Sequence, residues 1–391
     1  MSKKPLSIHI LRFTYGNWLK WRYQIKSVGY EKVPKKGPFL LLSNHAHALD
    51  PFFISSTIDA HVRWVAGAYL FKNQILKTLL TILVGSIGKQ QGRSDLSMIN
   101  GVKDALRKGD NVGIFPEGTR TWDGEFIGFD KATAKFIRLF KVPVVLVNLE
   151  GAYGMKPRWA SHKRKGSFTI RVVDVLQPEQ IQKMKIDELL DYLLDKLNFN
   201  YSEWQERTKE PYKHPLKAER IEQLLYLCPS CNGKSTITSS GNTISCSSCS
   251  FGGYLDDYDN FISNKKNVVK SIPAWHKWEK EQLKTLEGSF SEDKGVLLQR
   301  GIDNKLVTLS KNFSLSLEGE RMVVRFKKPV ASGFLKGLTS LVFDFDKMNS
   351  MIINAKGTVE FFNDNQLWRV RIVENRSILK YVEFFESRYL N

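Results

Sequence analysis

The chain has 391 residues, 42% of them hydrophobic, which exceeds what one packed core absorbs, since single cores stop growing near ~250–300 residues. Lys and Arg number 59 against 40 Asp and Glu, and the resulting charge of +19 demands an anionic partner: nucleic acid, anionic lipid or a phosphorylated substrate. A single small domain without such a partner is excluded.

The basic surplus is concentrated at the amino end. Between Met1 and Lys36 stand Lys3, Lys4, Arg12, Lys20, Arg22, Lys26, Lys32, Lys35 and Lys36 against one acid, Glu31. Ile8, Leu11, Tyr15 and Trp18 recur at helical spacing with Phe13, Trp21 and Tyr23 beside them. This mixture suits the headgroup region of a bilayer, where cations meet lipid phosphates and rings sit at the boundary; the alternative is a core helix with a solvated basic face. The longest apolar segment, Ile75 to Gly88, is broken by Lys77 and is shorter than the ~18–20 residues a spanning helix needs. After Lys3 and Lys4 the chain is interrupted by His9, Arg12 and Asn17, so a signal peptide is not expected. The expected location is the cytoplasmic face of a membrane, touched from one side.

From Phe39 to about Asp174, short apolar runs (Phe39–Leu42, Val112–Phe115, Val144–Val147, Phe168–Val172) alternate with helical stretches such as Asp95–Lys108 and Lys131–Phe140. Such alternation predicts an α/β sheet with flanking helices. The richest segment follows the first run: Ser43-Asn44-His45-Ala46-His47-Ala48-Leu49-Asp50-Pro51-Phe52. A neutral imidazole takes a proton from an alcohol near pH 7, and a carboxylate on its other nitrogen fixes the tautomer, which makes His45 and Asp50 a candidate pair. His47 has Phe52 at the corresponding spacing and is expected to pack or position the loop. Downstream, Gly113-Ile114-Phe115-Pro116-Glu117-Gly118-Thr119-Arg120-Thr121 offers backbone N–H groups, hydroxyls and the fixed charge of Arg120, a set able to hold a phosphate. Glu117 looks misplaced beside a phosphate unless it positions Arg120 or meets a glycerol hydroxyl.

The Asn-His-x4-Asp block, the Phe-Pro-Glu-Gly-Thr-Arg block and the strand Val142-Pro143-Val144-Val145 resemble, in order and spacing, the 1-acylglycerol-3-phosphate acyltransferases and their glycerol-phosphate relatives. The resemblance covers about Pro34 to Asp174. It implies acyl transfer from acyl-CoA or acyl carrier protein to a lysophosphatidate-like lipid, giving phosphatidate, with His45 as base, Asp50 as its partner, and Glu117, Gly118, Thr119 and Arg120 on the acceptor phosphate. Where that family places an Arg after a short strand, this chain reads Gly85-Ser86-Ile87-Gly88-Lys89-Gln90-Gln91-Gly92-Arg93, leaving Lys89 or Arg93 to supply the cation. No Ser occupies a Gly-x-Ser-x-Gly elbow, so direct attack without an acyl-enzyme is expected.

The remainder reads as a Leu189–Leu197 packing helix, a charged connector, and a segment rich in Ser, Gly and Cys. Cys228-Pro-Ser-Cys231 and Cys246-Ser-Ser-Cys249 flank a hairpin and predict a zinc ribbon, structural because four thiolates leave no open position; disulfides are the alternative, disfavoured in a cytosolic chain that keeps its thiols reduced. Between Cys228 and Tyr254 the one charged side chain outside the metal site is Lys234, which argues against nucleic acid as partner. After Gly295, alternating strands and a helix capped by Ser377 predict a small β domain that faintly resembles a pleckstrin-homology-like fold. The expected division is 1–33 basic membrane-facing arm, 34–210 acyltransferase domain, 211–227 connector, 228–254 zinc ribbon, 255–294 linker and 295–391 β domain. The competing reading is an inactive adaptor that binds nucleic acid or protein through the arm and ribbon.

Overall fold

The structure is a computed structural model that describes residues 10–67, 85–89, 96–266, 268–285, 290, 292–302, 305–330, 333, 335–354 and 357–389. Two compact units emerge: residues 1–158, 162–214 and 257–259 form the first, and 159–161, 215–256 and 260–391 the second. Most of the Ile75–Gly88 segment, and Arg93, lie outside the described residues.

In the first unit, β1 (Ile25–Val28), β2 (Leu40–Ser43), β3 (Val62–Gly67), β4 (Ile87–Lys89), β5 (Asn111–Ile114), β6 (Val144–Glu150) and β7 (Phe168–Leu176) build one sheet in the order β1-β7-β6-β2-β5-β3-β4. Strands β6, β2, β5, β3 and β4 run parallel, and β7 is antiparallel to β6. A sheet covered on both faces needs strands that are apolar on both sides, which Leu40, Leu41 and Leu42 supply. Phe39 and Leu41 face one cluster, with Leu19 and Tyr23 of α1 (Asn17–Tyr23) and Phe53 and Ile54 of α2 (Asp50–Thr57). Leu40 and Leu42 face the other, with Val102 of α3 (Leu96–Arg107) and Ile137 of α4 (Lys131–Phe140). The chain continues through α5 (Ala152–Met155), α6 (Pro178–Lys183), α7 (Ile186–Leu197) and α8 (Tyr201–Thr208). Leu189, Leu193 and Leu197 of α7 are fully buried in the second of these clusters. The α/β sheet with flanking helices is therefore observed.

The amino-terminal arm differs from expectation in its second half. Its second half joins the sheet as β1, paired in parallel with β7. Its aromatic stripe is not core: Phe13 and Trp21 are about three-quarters exposed, and Trp18 nearly half, while Leu19 and Tyr23 are buried. Among the described residues no helix is long and apolar enough to cross a membrane.

The second unit contains a four-stranded antiparallel ribbon, β8 (Ile237–Ser240), β9 (Thr243–Cys246), β10 (Gly252–Leu255) and β11 (Phe261–Ser263). The expected linker is instead structured, because Trp275 and Leu283 of α9 (Ile272–Leu283) are fully buried. Then follow β12 (Asp293–Ile302), β13 (Lys305–Ser310), β14 (Phe313–Glu318), β15 (Arg321–Phe326), β16 (Ser340–Asp344), β17 (Met348–Asn354), β18 (Thr358–Asn363) and β19 (Gln366–Ile372), all antiparallel. Helix α10 (Leu379–Tyr389) turns Tyr381, Val382, Phe384 and Phe385 into their core, closing the β domain. The connector is not loose either, since Tyr212 in the first unit and Ile221 to Leu227 in the second are largely buried.

A buried ion pair fastens α10. Lys380 Nζ lies 2.6 Å from Asp293 Oδ2, which also accepts the Tyr381 hydroxyl at 2.7 Å, and none of these side chains reaches solvent. Removing one partner leaves a buried charge uncompensated, so Asp293→Ala is expected to destabilise the second unit by about 3–5 kcal/mol. The double change Asp293→Ala with Lys380→Met should cost less than Asp293→Ala alone, as compared by urea unfolding midpoints.

Candidate active site

Strand β2 ends at Ser43, and the chain crosses a short loop to Asp50, the first residue of α2, where Pro51 favours helix initiation and the helix dipole favours a carboxylate. Asp50 Oδ2 accepts three hydrogen bonds, each of 2.8 Å: from His45 Nδ1 and from the backbone N–H of Ala46 and His47. The spacing of five residues is thus explained by a loop that wraps its own carboxylate. With Nδ1 as donor to Asp50, Nε2 is the basic nitrogen of His45.

The imidazole plane is fixed by stacking. His45 lies 4.1 Å from Phe115 at 17°, and Phe115 lies 4.9 Å from Trp64 at 13°. Gly113 permits this stack, because a Cβ there would come within 2.5–2.8 Å of Trp64 ring carbons. Burial lowers the His45 pKa, outweighing the Asp50 hydrogen bond and charge that raise it, and the positive charges of Arg120 and Arg158 lower it further. His45 is therefore neutral at pH 7.

His47 has a structural environment. Its Nδ1 accepts from Leu49 N at 3.0 Å, its ring packs against Tyr23 and Phe53, and burial lowers its pKa to about 4. Asn44 Oδ1 accepts from Leu149 N at 2.8 Å, tying the end of β2 to β6.

The second motif leaves β5 and returns to His45. Thr121 N donates to the His45 carbonyl at 2.9 Å. Glu117 departs from the expected phosphate contact: Oε1 accepts from His45 N at 2.8 Å and Oε2 from Ile127 N at 3.1 Å. Its carboxylate is a clamp that joins the two motifs. Burial raises its pKa to about 7, although both backbone bonds pull the other way. The Gly118 N–H also differs from expectation, being used in the turn by Phe115 O at 3.1 Å, and Gly118 has φ +71°, where a side chain is strained. Thr119 is exposed and Arg120 half-buried on the same turn.

Arg158, which follows α5, reads in the sequence as one of a basic cluster, Lys156, Arg158, Lys163, Arg164 and Lys165, facing lipid or coenzyme A phosphates or merely solvated. Its Nη1 donates to Thr119 Oγ1 at 2.7 Å and to Arg120 O at 3.0 Å, and its guanidinium lies 4.4 Å from the Trp122 ring centre. Lys89 ends β4, on the same edge of the sheet as Ser43 and Ile114. It is three strand positions from β2, about 14 Å at the usual spacing.

Glu117→Gln keeps one acceptor but turns an amide N–H₂ toward a backbone N–H. With about 1–3 kcal/mol lost for a buried unsatisfied group, turnover is expected to fall about ten- to a hundredfold, read from steady-state kcat.

A separate site lies in the second unit. The four cysteine sulfurs are free thiols within 4.8 Å of one another, with Cys228–Cys249 at 3.7 Å and Cys231–Cys246 at 3.8 Å. Sulfurs bound at about 2.3 Å around a tetrahedral metal stand about 3.8 Å apart, so this cradle fits such an ion and is far too open for disulfides. Backbone N–H groups of Ser248 and Phe251 point to Cys246 and Cys249 sulfurs at 3.4 and 3.5 Å, as in metal-binding knuckles. Glu279 Oε1 holds the N–H groups of Tyr226 and Leu227, at 2.7 and 2.6 Å, just before Cys228. The four cysteines are positioned to bind a metal.

A family model described as Acyltransferase matches residues 24–150. The chain is 25% identical over 184 residues to the 1-acyl-sn-glycerol-3-phosphate acyltransferase of Borreliella burgdorferi, a match covering 45% of this chain and 74% of that protein. It is 28% identical over 181 residues to the enzyme of that name from Chlamydomonas reinhardtii, covering 43% of this chain and 50% of the relative, and 28% identical over 188 residues to that of Limnanthes douglasii, covering 46% and 63%. The chain thus spans between half and three-quarters of the length of these relatives. The crystal structure of PlsC, the 1-acyl-sn-glycerophosphate acyltransferase of Thermotoga maritima, matches with a TM-score of 0.43 and 22% identity over 51% of this chain and 78% of that one. Residues 24–150 thus match the Acyltransferase family model, and this part of the chain is similar to 1-acyl-sn-glycerol-3-phosphate acyltransferases.

Proposed function

We propose that the protein is a membrane-surface acyltransferase that moves a fatty acyl group from a thioester, acyl-CoA or acyl-acyl carrier protein, to the free hydroxyl of 1-acylglycerol-3-phosphate, giving phosphatidate. The observation that carries this reading is the His45–Asp50 pair, joined through Glu117 and Thr121 to the turn that bears Arg120. His45 Nε2 takes the hydroxyl proton as the oxygen attacks the thioester carbonyl, and Asp50 stabilises the imidazolium. The tetrahedral intermediate collapses, the C–S bond breaks, and the leaving thiolate takes the proton back from His45. No nucleophilic side chain is needed, since all four cysteines cluster in the second unit. Arg120 and Thr119 face the acceptor phosphate.

The exposed Phe13, Trp18 and Trp21, set among Arg12, Lys20 and Arg22, support docking on the anionic cytoplasmic face of a membrane, with the chain remaining peripheral. Zinc is the metal that the four-thiolate cradle suits best, and it holds the ribbon without an open coordination position. The test is thiol release from each donor with and without lysophosphatidate, with rapid-quench sampling of the protein. The expected result is acceptor-dependent release and no acyl-protein adduct. A stable adduct on the path would contradict direct attack.

A further inference from the structure

A phosphomonoester carries a charge of about −1.5 to −2 at pH 7, more than one cation balances. Arg120 alone is an incomplete partner, and among the described residues the cation at the end of β4 is Lys89, Arg93 lying outside them. Lys89 belongs to the edge strand, about 10 Å by strand spacing from β5, which leads into the motif turn.

Arg158 stands at that turn instead. Its Nη1 reaches both the exposed Thr119 hydroxyl oxygen and the Arg120 carbonyl, and Trp122 supports the face of its guanidinium. These contacts bring Arg158 against the solvent-accessible turn that carries Thr119 and Arg120, while the one carboxylate of the motif is turned inward onto backbone N–H groups. The planar fork of Arg suits a phosphate, which accepts two parallel N–H donors.

We propose that Arg158 and Arg120 together form the cationic pair that receives a substrate phosphate, and that this phosphate is the acceptor's. The assignment rests on the acyl-transfer reading above. It makes the phosphate a condition of acceptance: the pair selects phosphomonoester lipids over acceptors that present only hydroxyls. A phosphate of coenzyme A offers the same chemistry, and the two sources are separated kinetically.

The experiment compares full-length wild type, Arg158→Gln and Arg158→Lys with lysophosphatidate and with phosphate-free 1-acylglycerol as acceptors, using acyl-CoA as donor; thermal melts establish that each variant is folded. The expected result for Arg158→Gln is a rise of about ten- to a hundredfold in the KM for lysophosphatidate, the worth of a charge-assisted hydrogen bond. The donor KM should stay near wild type, the preference for lysophosphatidate over 1-acylglycerol, read as the ratio of kcat/KM values, should fall by a similar factor, and Arg158→Lys, which keeps the charge but loses the fork, should fall between. A rise confined to the donor KM would assign Arg158 to coenzyme A and overturn the proposal. An equal fall in kcat with both acceptors at unchanged KM would overturn it too, leaving Arg158 as a brace for the turn. If wild type shows no lysophosphatidate-dependent thiol release at all, the acyl-transfer reading itself fails, a result distinct from an active wild type with an indifferent Arg158→Gln.

Discussion

His45→Ala is expected to lower kcat for acyl transfer by about 10²–10⁴-fold, the usual contribution of a positioned general base, while leaving the melting temperature nearly unchanged. The imidazole is held by Asp50 on one side and by the Phe115–Trp64 stack on its face, so its loss removes a proton acceptor without removing a strand or a cap. The pH profile follows with a definite sign. Burial disfavours the imidazolium, so the acid limb of kcat/KM should lie below pH 6.5. Asp50 raises the His45 pKa, so Asp50→Asn should move that limb to still lower pH even as turnover falls. A limb above 6.5 would show that another group controls the rate. Measurement of kcat/KM from pH 5 to 9 for the three proteins checks both statements.

Removal of the metal should have the largest structural effect. In the cradle fitted to four thiolates, the sulfurs carry the ribbon's folding free energy, because short zinc modules unfold when the ion is withdrawn. A strong chelator is expected to make all four thiols reactive toward a disulfide reagent and to collapse the hydrogen-exchange protection of residues 237–255. Tyr226 and Leu227, held by Glu279 next to Cys228, should lose protection with them. Metal analysis should give one zinc per chain. Four thiols that react fully before chelation, with no change in protection afterwards, would remove the metal from the account.

The parts of this protein legible in its sequence are those whose physics is local. The His45–Asp50 pair lies within one loop, the Leu189–Leu193–Leu197 stripe within one helix, and the cysteine pairs within two knuckles. What escaped depends on residues distant in the chain. Glu117 finds His45 N–H, 72 positions away, and no spacing rule joins a carboxylate to a backbone donor across two strands. Lys156, Arg158, Lys163, Arg164 and Lys165 read as one basic cluster, for lipid or coenzyme A phosphates or merely solvated, yet the fold sorts them. Arg164 is buried against Asp259, Lys163 sits over the Tyr23 ring, and Arg158 reaches the Thr119 turn. Composition predicted that these charges need partners but could not say which were internal. Helix α9, within the expected linker, was hidden by its many charged positions, although Trp275, Glu279 and Leu283 form a buried face on one side.

The account's central claim is that this site joins a thioester acyl group to a lysophosphatidate hydroxyl. The most direct measurement follows a labelled acyl chain in a reaction of the full-length protein with labelled acyl-CoA and with labelled acyl-acyl carrier protein, each with lysophosphatidate on anionic vesicles. With at least one of these donors, the account predicts one labelled phosphatidate for every thioester cleaved, at a rate that His45→Ala abolishes. Thioester cleavage that yields free fatty acid without phosphatidate, or phosphatidate formed equally well by His45→Ala, would contradict it.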